Sequence, residues 1–223
     1  MSVTLDDARL GLMRLRVLGT VGLLAVGLPS ALAVEPAAAA GPPPPGYPTS
    51  EKVTPAWRDA ENRRVVLRRG FYDHVTGRGF GWDKLYHRHN ITNTNLVRFV
   101  TKNPSGGEPQ GTARVYHAWS HYVECGRVVC TIKDRTPVRM VVEYGKRPTI
   151  GGWPAGNPVG VLTGYCVEQR YNPKCPWWVS DNRFIPSVAA QRSGRVGRIE
   201  GTAWSYKPLG KVGVAVPVHA VTD

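Results

Sequence analysis

Residues 111–144 read GTARVYHAWSHYVECGRVVCTIKDRTPVRMVVEY, and this segment carries the clearest secondary-structure pattern of the chain. Apolar and aromatic residues alternate with polar ones, which is typical of β-strands. Glycine, proline and cysteine divide the region into predicted strands at 111–124, 127–133 and 138–144, and a further strand is predicted at 159–167. Because turn residues bound each of these segments, we expect an antiparallel meander of about four strands.

Two short helices are predicted before this meander, which makes the fold class α+β. The first covers residues 82–89. On a 3.6-residue period it has an apolar face and a basic rim. The apolar face comprises Trp82, Leu85, Tyr86 and His89, and the rim comprises Lys84, His87, Arg88 and Ile91. The second helix begins at a Thr92 or Thr94 cap and ends before Asn103-Pro104.

The N-terminus has the organisation of a secretory signal. Two arginines precede an apolar run that ends in a small-x-small sequence, which predicts a signal peptide at 1–33, with Met13 as an alternative start. An Ala/Pro-rich linker at 34–50, a globular domain at 51–186 and a partly ordered C-terminal tail at 187–223 follow. We therefore expect a secreted, extracellular protein without a stable membrane anchor after signal cleavage.

Four cysteines in an exported chain are expected to form two disulfides. Of the three connectivities, sequence locality favours Cys125 with Cys130 and Cys166 with Cys175, because each pair brackets a short turn. The alternative is a tetrathiolate metal site, but neither pair has the two-residue gap of a zinc knuckle. The sequence thus predicts two local disulfides, no metal site and no cofactor.

The chain is strongly basic, with a formal net charge of +13. Such a charge favours an anionic partner, namely RNA or another nucleic acid, an acidic lipid or an acidic wall polymer. The alternative is that the charge only aids solubility or reflects arginine-rich coding.

The densest polar cluster lies in the first predicted helix. His87 and His89 are candidate proton carriers, and Lys84 and Arg88, one turn apart, are candidate phosphate ligands. A base and neighbouring cations are the minimum that a metal-independent ribonuclease needs. The alternative makes His89 a hydrogen-bonded core residue and His87 an ordinary surface residue.

Two predicted strands carry further candidates. Alternation places His117 and His121 on one face with Trp119 between them, but about 13 Å apart, so they cannot share a metal ion. This face is either a base-stacking platform or part of the core. In the last strand, alternation places Val161, Thr163 and Tyr165 on one side.

A helix that carries His87 and His89, followed by a meander whose last strand reads apolar-x-Thr-x-Tyr, resembles the barnase-like superfamily of secreted ribonuclease toxins. The resemblance is confined to these two short patches. It implies that His87 or His89 acts as general base or acid, and that Thr163 and Tyr165 orient the phosphate. It also implies that Lys84 and Arg88 bind that phosphate.

The glutamate base of barnase itself has no assigned counterpart, because Glu124, Glu143 and Glu168 all lie in predicted strands with nothing to separate them. In overall composition the chain also resembles small arginine-rich secreted proteins of actinobacteria. Two functions follow as hypotheses. One is a secreted metal-independent ribonuclease or nucleic-acid-binding toxin domain, and the other is a non-enzymatic secreted module that binds an acidic cell-wall polymer or a protein. The first requires a histidine of the early helix to meet Thr163 or Tyr165.

Overall fold

The computed structural model describes residues 43–167, 174–181 and 198–222. The predicted signal peptide and the beginning of the predicted linker lie outside the described residues, so the predicted domain boundaries stay predictions. In the described part, the chain is a mixed α/β protein with antiparallel strands and two disulfides. The predicted class is therefore confirmed at this level.

A six-stranded antiparallel sheet forms the centre of the fold. Its strands are β5 (Glu108–Gln110), β6 (Ala113–Cys125), β7 (Val129–Glu143), β10 (Gly160–Cys166), β11 (Ile199–Ser205) and β12 (Ala215–Pro217). The main path has the order β10-β7-β6-β11, while β5 pairs with β6 and β12 pairs with β7.

The predicted four-strand meander is wrong, because the segments 127–133 and 138–144 belong to one long strand, β7. Pro137 suggested a turn between them. Its carbonyl faces β10 and accepts a hydrogen bond from the Val167 amide. Pairing with β10 ends at Cys166 opposite Val138, so the missing N–H of Pro137 has no ladder partner to lose. The strand therefore continues through the proline.

Three two-stranded ribbons and a few short helices accompany the sheet. The ribbons pair β1 (Trp57–Arg58) with β2 (Arg64–Val65), β3 (Phe71–Tyr72) with β4 (Gly79–Phe80), and β8 (Thr149–Ile150) with β9 (Trp153–Pro154). The helices are α1 (Gly81–Asp83), which continues into a π-helical turn at Lys84–Arg88, then α2 (Thr94–Thr101), a 3₁₀ helix at Trp177–Ser180 and α3 (His219–Thr222).

The two helices expected near 82–89 and 92–103 occur, with changes in detail. The π-helical turn has a longer period than an α-helix. Tyr86, which was predicted on the apolar face, is therefore exposed, and Ile91, which was predicted on the basic rim, is fully buried beyond the helix end. Asn93 rather than a threonine caps α2, since its side chain accepts a hydrogen bond from the Asn95 amide at 2.9 Å.

The main core lies on one face of the sheet. Leu96, Val97 and Val100 of α2 pack there against β6 and β7, together with Leu85 from the π-helical turn. A second core lies on the other face at the β6–β7 hairpin end, where Val216 of the paired strand β12 and Val221 of α3 pack with Val123 and Ile132. Among the described residues, the part of that second face around His117, Trp119 and Arg139 is only partly buried, and it carries the site described below.

Both predicted disulfides are confirmed. Cys125 pairs with Cys130 across the β6–β7 hairpin, and Cys166 pairs with Cys175 at the end of β10. Bridges of this kind are typical of proteins that mature in an oxidising, extracellular-type compartment. Within the described residues, every helix is too short or too polar to cross a membrane.

Candidate functional site

The two faces of the β6–β7 pair differ sharply. On the core side, Tyr116, Ala118, Val138 and Met140 are all at most 1% exposed, and we call this the sealed face. The other side keeps half-exposed side chains, and we call it the open face. Its central residues are His117 and Trp119 of β6, Arg135, Pro137, Arg139 and Val141 of β7, and Thr163 and Tyr165 of β10.

His89 is brought to the edge of the open face by the end of the first helix. It is the C-cap of the π-helical turn, and Asn90 follows in the left-handed region with φ 54°. The carbonyl of His89 accepts a hydrogen bond from the Cys175 amide at 2.8 Å, and the Asn90 side chain donates to the Cys175 carbonyl at 3.1 Å. The Cys166–Cys175 disulfide then ties this turn to β10.

The His89 ring meets both residues that the sequence singled out in β10. Its Nε2 lies 3.3 Å from the Thr163 hydroxyl oxygen, and its ring centroid lies 6.0 Å from that of Tyr165. His89 is only 7% exposed, and Thr163 and Tyr165 are half-buried. The structure thus brings three of the predicted site residues together.

The predicted alternation of β10 holds for Thr163 and Tyr165 but not for Val161. A register shift follows Val161, which pairs with Val142, whereas Thr163 already pairs with Val141. Leu162 is the extra residue of this bulge. As a result Val161 points into the main core, and the two polar side chains point to the open face.

Arg139 occupies the centre of the open face and was not singled out from the sequence. It stands between Tyr165 on β10 and His117 on β6 in one cross-strand row. Its guanidinium carbon lies 6.0 Å from the Tyr165 ring centroid. Arg139 forms no hydrogen bond or ion pair within the described part of the chain, and its Nε is buried without a partner. A cation left in this state is suited to receive an anionic ligand.

His117 extends the row to the far side of Arg139. Its side chain is 41% exposed, and its Nε2 lies 3.8 Å from a carboxylate oxygen of Glu108 on β5. The backbone of His117 is held by the Asn103 side chain, which donates to its carbonyl at 2.7 Å. One face therefore presents two imidazoles, a guanidinium, a phenol and a hydroxyl in sequence across four chain segments.

The other predicted site residues lie elsewhere. His87 is exposed and packs edge-on against the rings of His74 and Tyr86, at 5.7 and 5.0 Å. Arg88 donates to the Gly77 carbonyl and thereby holds the turn before β4. Lys84 is half-buried, and burial, followed by the charge of Arg88, lowers the pKa of its ammonium group.

The glutamates considered from the sequence are engaged in structure. Glu143 is buried and pairs with Arg147 at 3.0 Å; burial raises its pKa, but hydrogen bonds and the Arg147 charge bring it below the ordinary value. Glu124 pairs with Lys133 and Arg198 at 2.7 Å each. Glu168 lies outside the described residues. The carboxylate beside the open face is instead Glu108.

His121, the partner proposed for His117 on the same face, is fully buried at the second core. Its Nε2 accepts a hydrogen bond from the Leu209 amide at 3.2 Å. Burial lowers the pKa of His121 to about 4, and the nearby charge of Arg135 adds to the shift. This imidazole is therefore neutral and structural at physiological pH.

No family model, curated protein or solved structure matches this chain. Among the described residues there is also no group of three or more His, Cys, Asp and Glu side chains arranged to hold a metal ion. The residues of the open face themselves are therefore the basis for a functional assignment.

Proposed function

We propose that the protein is a secreted, RNA-directed protein whose open face binds a phosphodiester and cleaves it. The observation that carries this proposal is Arg139, an uncompensated guanidinium at the centre of the face with an imidazole on either side. The net charge of +13 favours an anionic polymer, and the two disulfides fit an exported protein. The resemblance to barnase-like toxins implies the same activity, metal-independent cleavage of RNA.

The chemistry is cyclising phosphoryl transfer. His117, with Glu108 beside it, takes the proton of the ribose 2′-hydroxyl while the 2′-oxygen forms a bond to phosphorus. The bond between phosphorus and the 5′-oxygen breaks, and that oxygen takes a proton from solvent water, because His89 lies beyond Tyr165, and β10 is two strand spacings, about 10 Å, from β6. His89 contacts the Thr163 hydroxyl and positions it. Arg139, Thr163 and Tyr165 donate to the phosphate oxygens, on which negative charge develops. The products are a 2′,3′-cyclic phosphate and a 5′-hydroxyl end.

The test is incubation of the oxidised mature protein with single-stranded RNA in the presence of EDTA, followed by analysis of the ends. We expect cyclic phosphate ends, with the cleavage rate lowered at least about 100-fold in His117→Ala and Arg139→Gln. His74→Ala removes an imidazole outside the open face and is the matched control. Intact RNA at high protein concentration overturns the ribonuclease proposal.

A second candidate function is binding of an acidic polymer, such as a wall polymer, without cleavage. The burial of His89 and its distance from His117 favour this candidate, because they keep the imidazole from protonating the leaving oxygen, so cleavage depends on water as the acid. The same experiment separates the two, since a protein that binds RNA or an acidic polysaccharide through Arg139 and leaves RNA intact fits only the second.

A further inference from the structure

We propose that the open face binds RNA as an extended single strand that runs along β7, with Arg135 as a second phosphate ligand and Trp119 as a base-stacking platform. The inference rests on the proposed RNA-directed function and names the form of RNA that this face accepts. It concerns residues on the hairpin side of Arg139, outside the group assigned to cleavage.

The first support is the spacing of the two arginines. Arg135 and Arg139 lie on the same strand and the same face, because both belong to the odd-numbered residues that point away from the main core. Four residues of an antiparallel strand cover about 13 Å. A single phosphodiester group is too small to contact both guanidinium groups, so the pair matches separate phosphates of one chain.

The second support is the aromatic ring between them. Trp119 pairs with Pro137, which is the residue between the two arginines on this face. Trp119 is half-buried, and the guanidinium carbon of Arg135 lies 5.2 Å from its ring centroid. An indole beside a guanidinium offers a base both a stacking surface and a cation, as in proteins that bind single-stranded nucleic acid.

The third support is charge. Neither Arg135 nor Arg139 forms an ion pair with a carboxylate in the described ranges; Arg135 donates to the Gly210 carbonyl, and the Arg139 guanidinium lies near the Tyr165 ring. The one carboxylate noted on this face, Glu108, lies beside His117 at the opposite margin from Arg135. Phosphate groups of the ligand provide the missing negative charge.

These features select single strands over duplexes. In A-form RNA the bases stack on one another, and the deep, narrow major groove excludes side chains. A flat sheet face with an aromatic ring therefore cannot stack on the bases of a duplex. An unpaired strand places its bases on Trp119 and its phosphates on the two arginines.

The test is fluorescence anisotropy with a labelled 2′-O-methyl oligoribonucleotide, which cannot be cleaved through its 2′-oxygen, as a single strand and as a duplex. The variants are Trp119→Leu, Trp119→Phe and Arg135→Gln. The controls are Trp177→Leu, an exposed tryptophan that contacts Tyr122 on the sealed side, and Arg127→Gln, an exposed arginine at the hairpin turn. Thermal melting of each variant verifies folding.

We expect Trp119→Leu to weaken single-strand binding by about 5- to 100-fold, and Trp119→Phe to restore most of it. Arg135→Gln should lower the slope of log K against log salt by about 0.7. Both controls should bind like the parent, and the duplex should bind more weakly than the single strand.

The outcomes distinguish this inference from the function on which it rests. Equal binding of duplex and single strand, or variants of Trp119 and Arg135 that bind like the parent, overturns the extended-strand inference while RNA cleavage stands. If a polysulfated polysaccharide competes fully and Trp119→Leu has no effect, the face recognises charge alone, and the inference is again overturned. A parent protein that neither binds nor cleaves RNA removes both.

Discussion

The sealed and open faces of the β6–β7 pair are made from the same two strands, yet one forms core and the other contacts solvent. On the sealed face, α2 and the turn before it cover the sheet and bury Tyr116, Ala118, Val138 and Met140. On the open face, His117, Trp119, Arg135 and Arg139 retain solvent contact, and the two arginines have no carboxylate partner among the residues that the structure describes. Burial on one face supplies the stability that lets the other hold unpaired charge.

The largest effect on stability should come from truncating one of two neighbouring side chains that lie on opposite faces. Met140→Ala should lower the free energy of unfolding by about 2 to 5 kcal/mol, because it leaves a cavity in the main core. Val141→Ala, one residue along on the half-exposed face, should cost less than about 1.5 kcal/mol. Urea unfolding of both variants measures the difference, and equal losses would contradict the distinction between the faces.

The next effect is the pH dependence of stability that arises from His121, which is buried beside the second core. Since burial lowers the pKa of His121 to about 4 in the folded protein, against an ordinary value of about 6.5 for histidine, the unfolded chain takes up the proton first as pH falls. Stability should therefore be constant above pH 6.5 and decline between pH 6.5 and 4, by roughly 2 to 3 kcal/mol from this group.

His121→Gln should remove most of that decline, since its amide oxygen can still accept from the Leu209 amide. Unfolding curves at several pH values between 7.5 and 4 provide the measurement. A variant that keeps the full slope of the parent would show that another group is responsible.

The two disulfides should differ in function more than in stability. They close loops with sequence separations of 5 and 9, so replacing either pair with serine should cost about 2 to 3 kcal/mol. Only Cys166→Ser with Cys175→Ser should also lower RNA turnover, because Cys175 holds the backbone of His89. Cys125→Ser with Cys130→Ser is the matched control, and equal loss of turnover in both would count against the placement of His89.

The smallest effect on stability is expected at Arg139, where the effect on function is largest. Arg139→Gln removes a cation that has no partner in the described chain, so the free energy of unfolding should change by no more than about 0.5 kcal/mol or rise. RNA cleavage should be lost, as should the stabilisation of the protein by added oligonucleotide. Thermal melting with and without ligand tests this, and a large loss of stability would make Arg139 a structural residue.

Several elements were predictable because their signals are local. Helices were expected near residues 82–89 and 92–103 and occur there, although the first is mostly a π-helical turn, and the paired cysteines bracket short turns that close without distant contacts. The resemblance to the barnase-like superfamily led us to expect a histidine of the first helix near Thr163 and Tyr165, and His89 lies there, while the resemblance itself stays a prediction. Arg139 and Glu108 were missed. The predicted strands stop on either side of Pro137, so the sequence did not indicate that Arg135 and Arg139 belong to one face of β7.

The sequence by itself determined the strand-forming alternation, the pairing of the cysteines and the strong positive charge, because each depends on residues close in the chain or on composition alone. Only the tertiary structure decided which face of β6 and β7 became core. Aromatic residues occur on both faces, so hydrophobicity alone does not separate them. The choice was made by where α2 and the C-terminal strands pack, and those contacts join residues far apart in the chain.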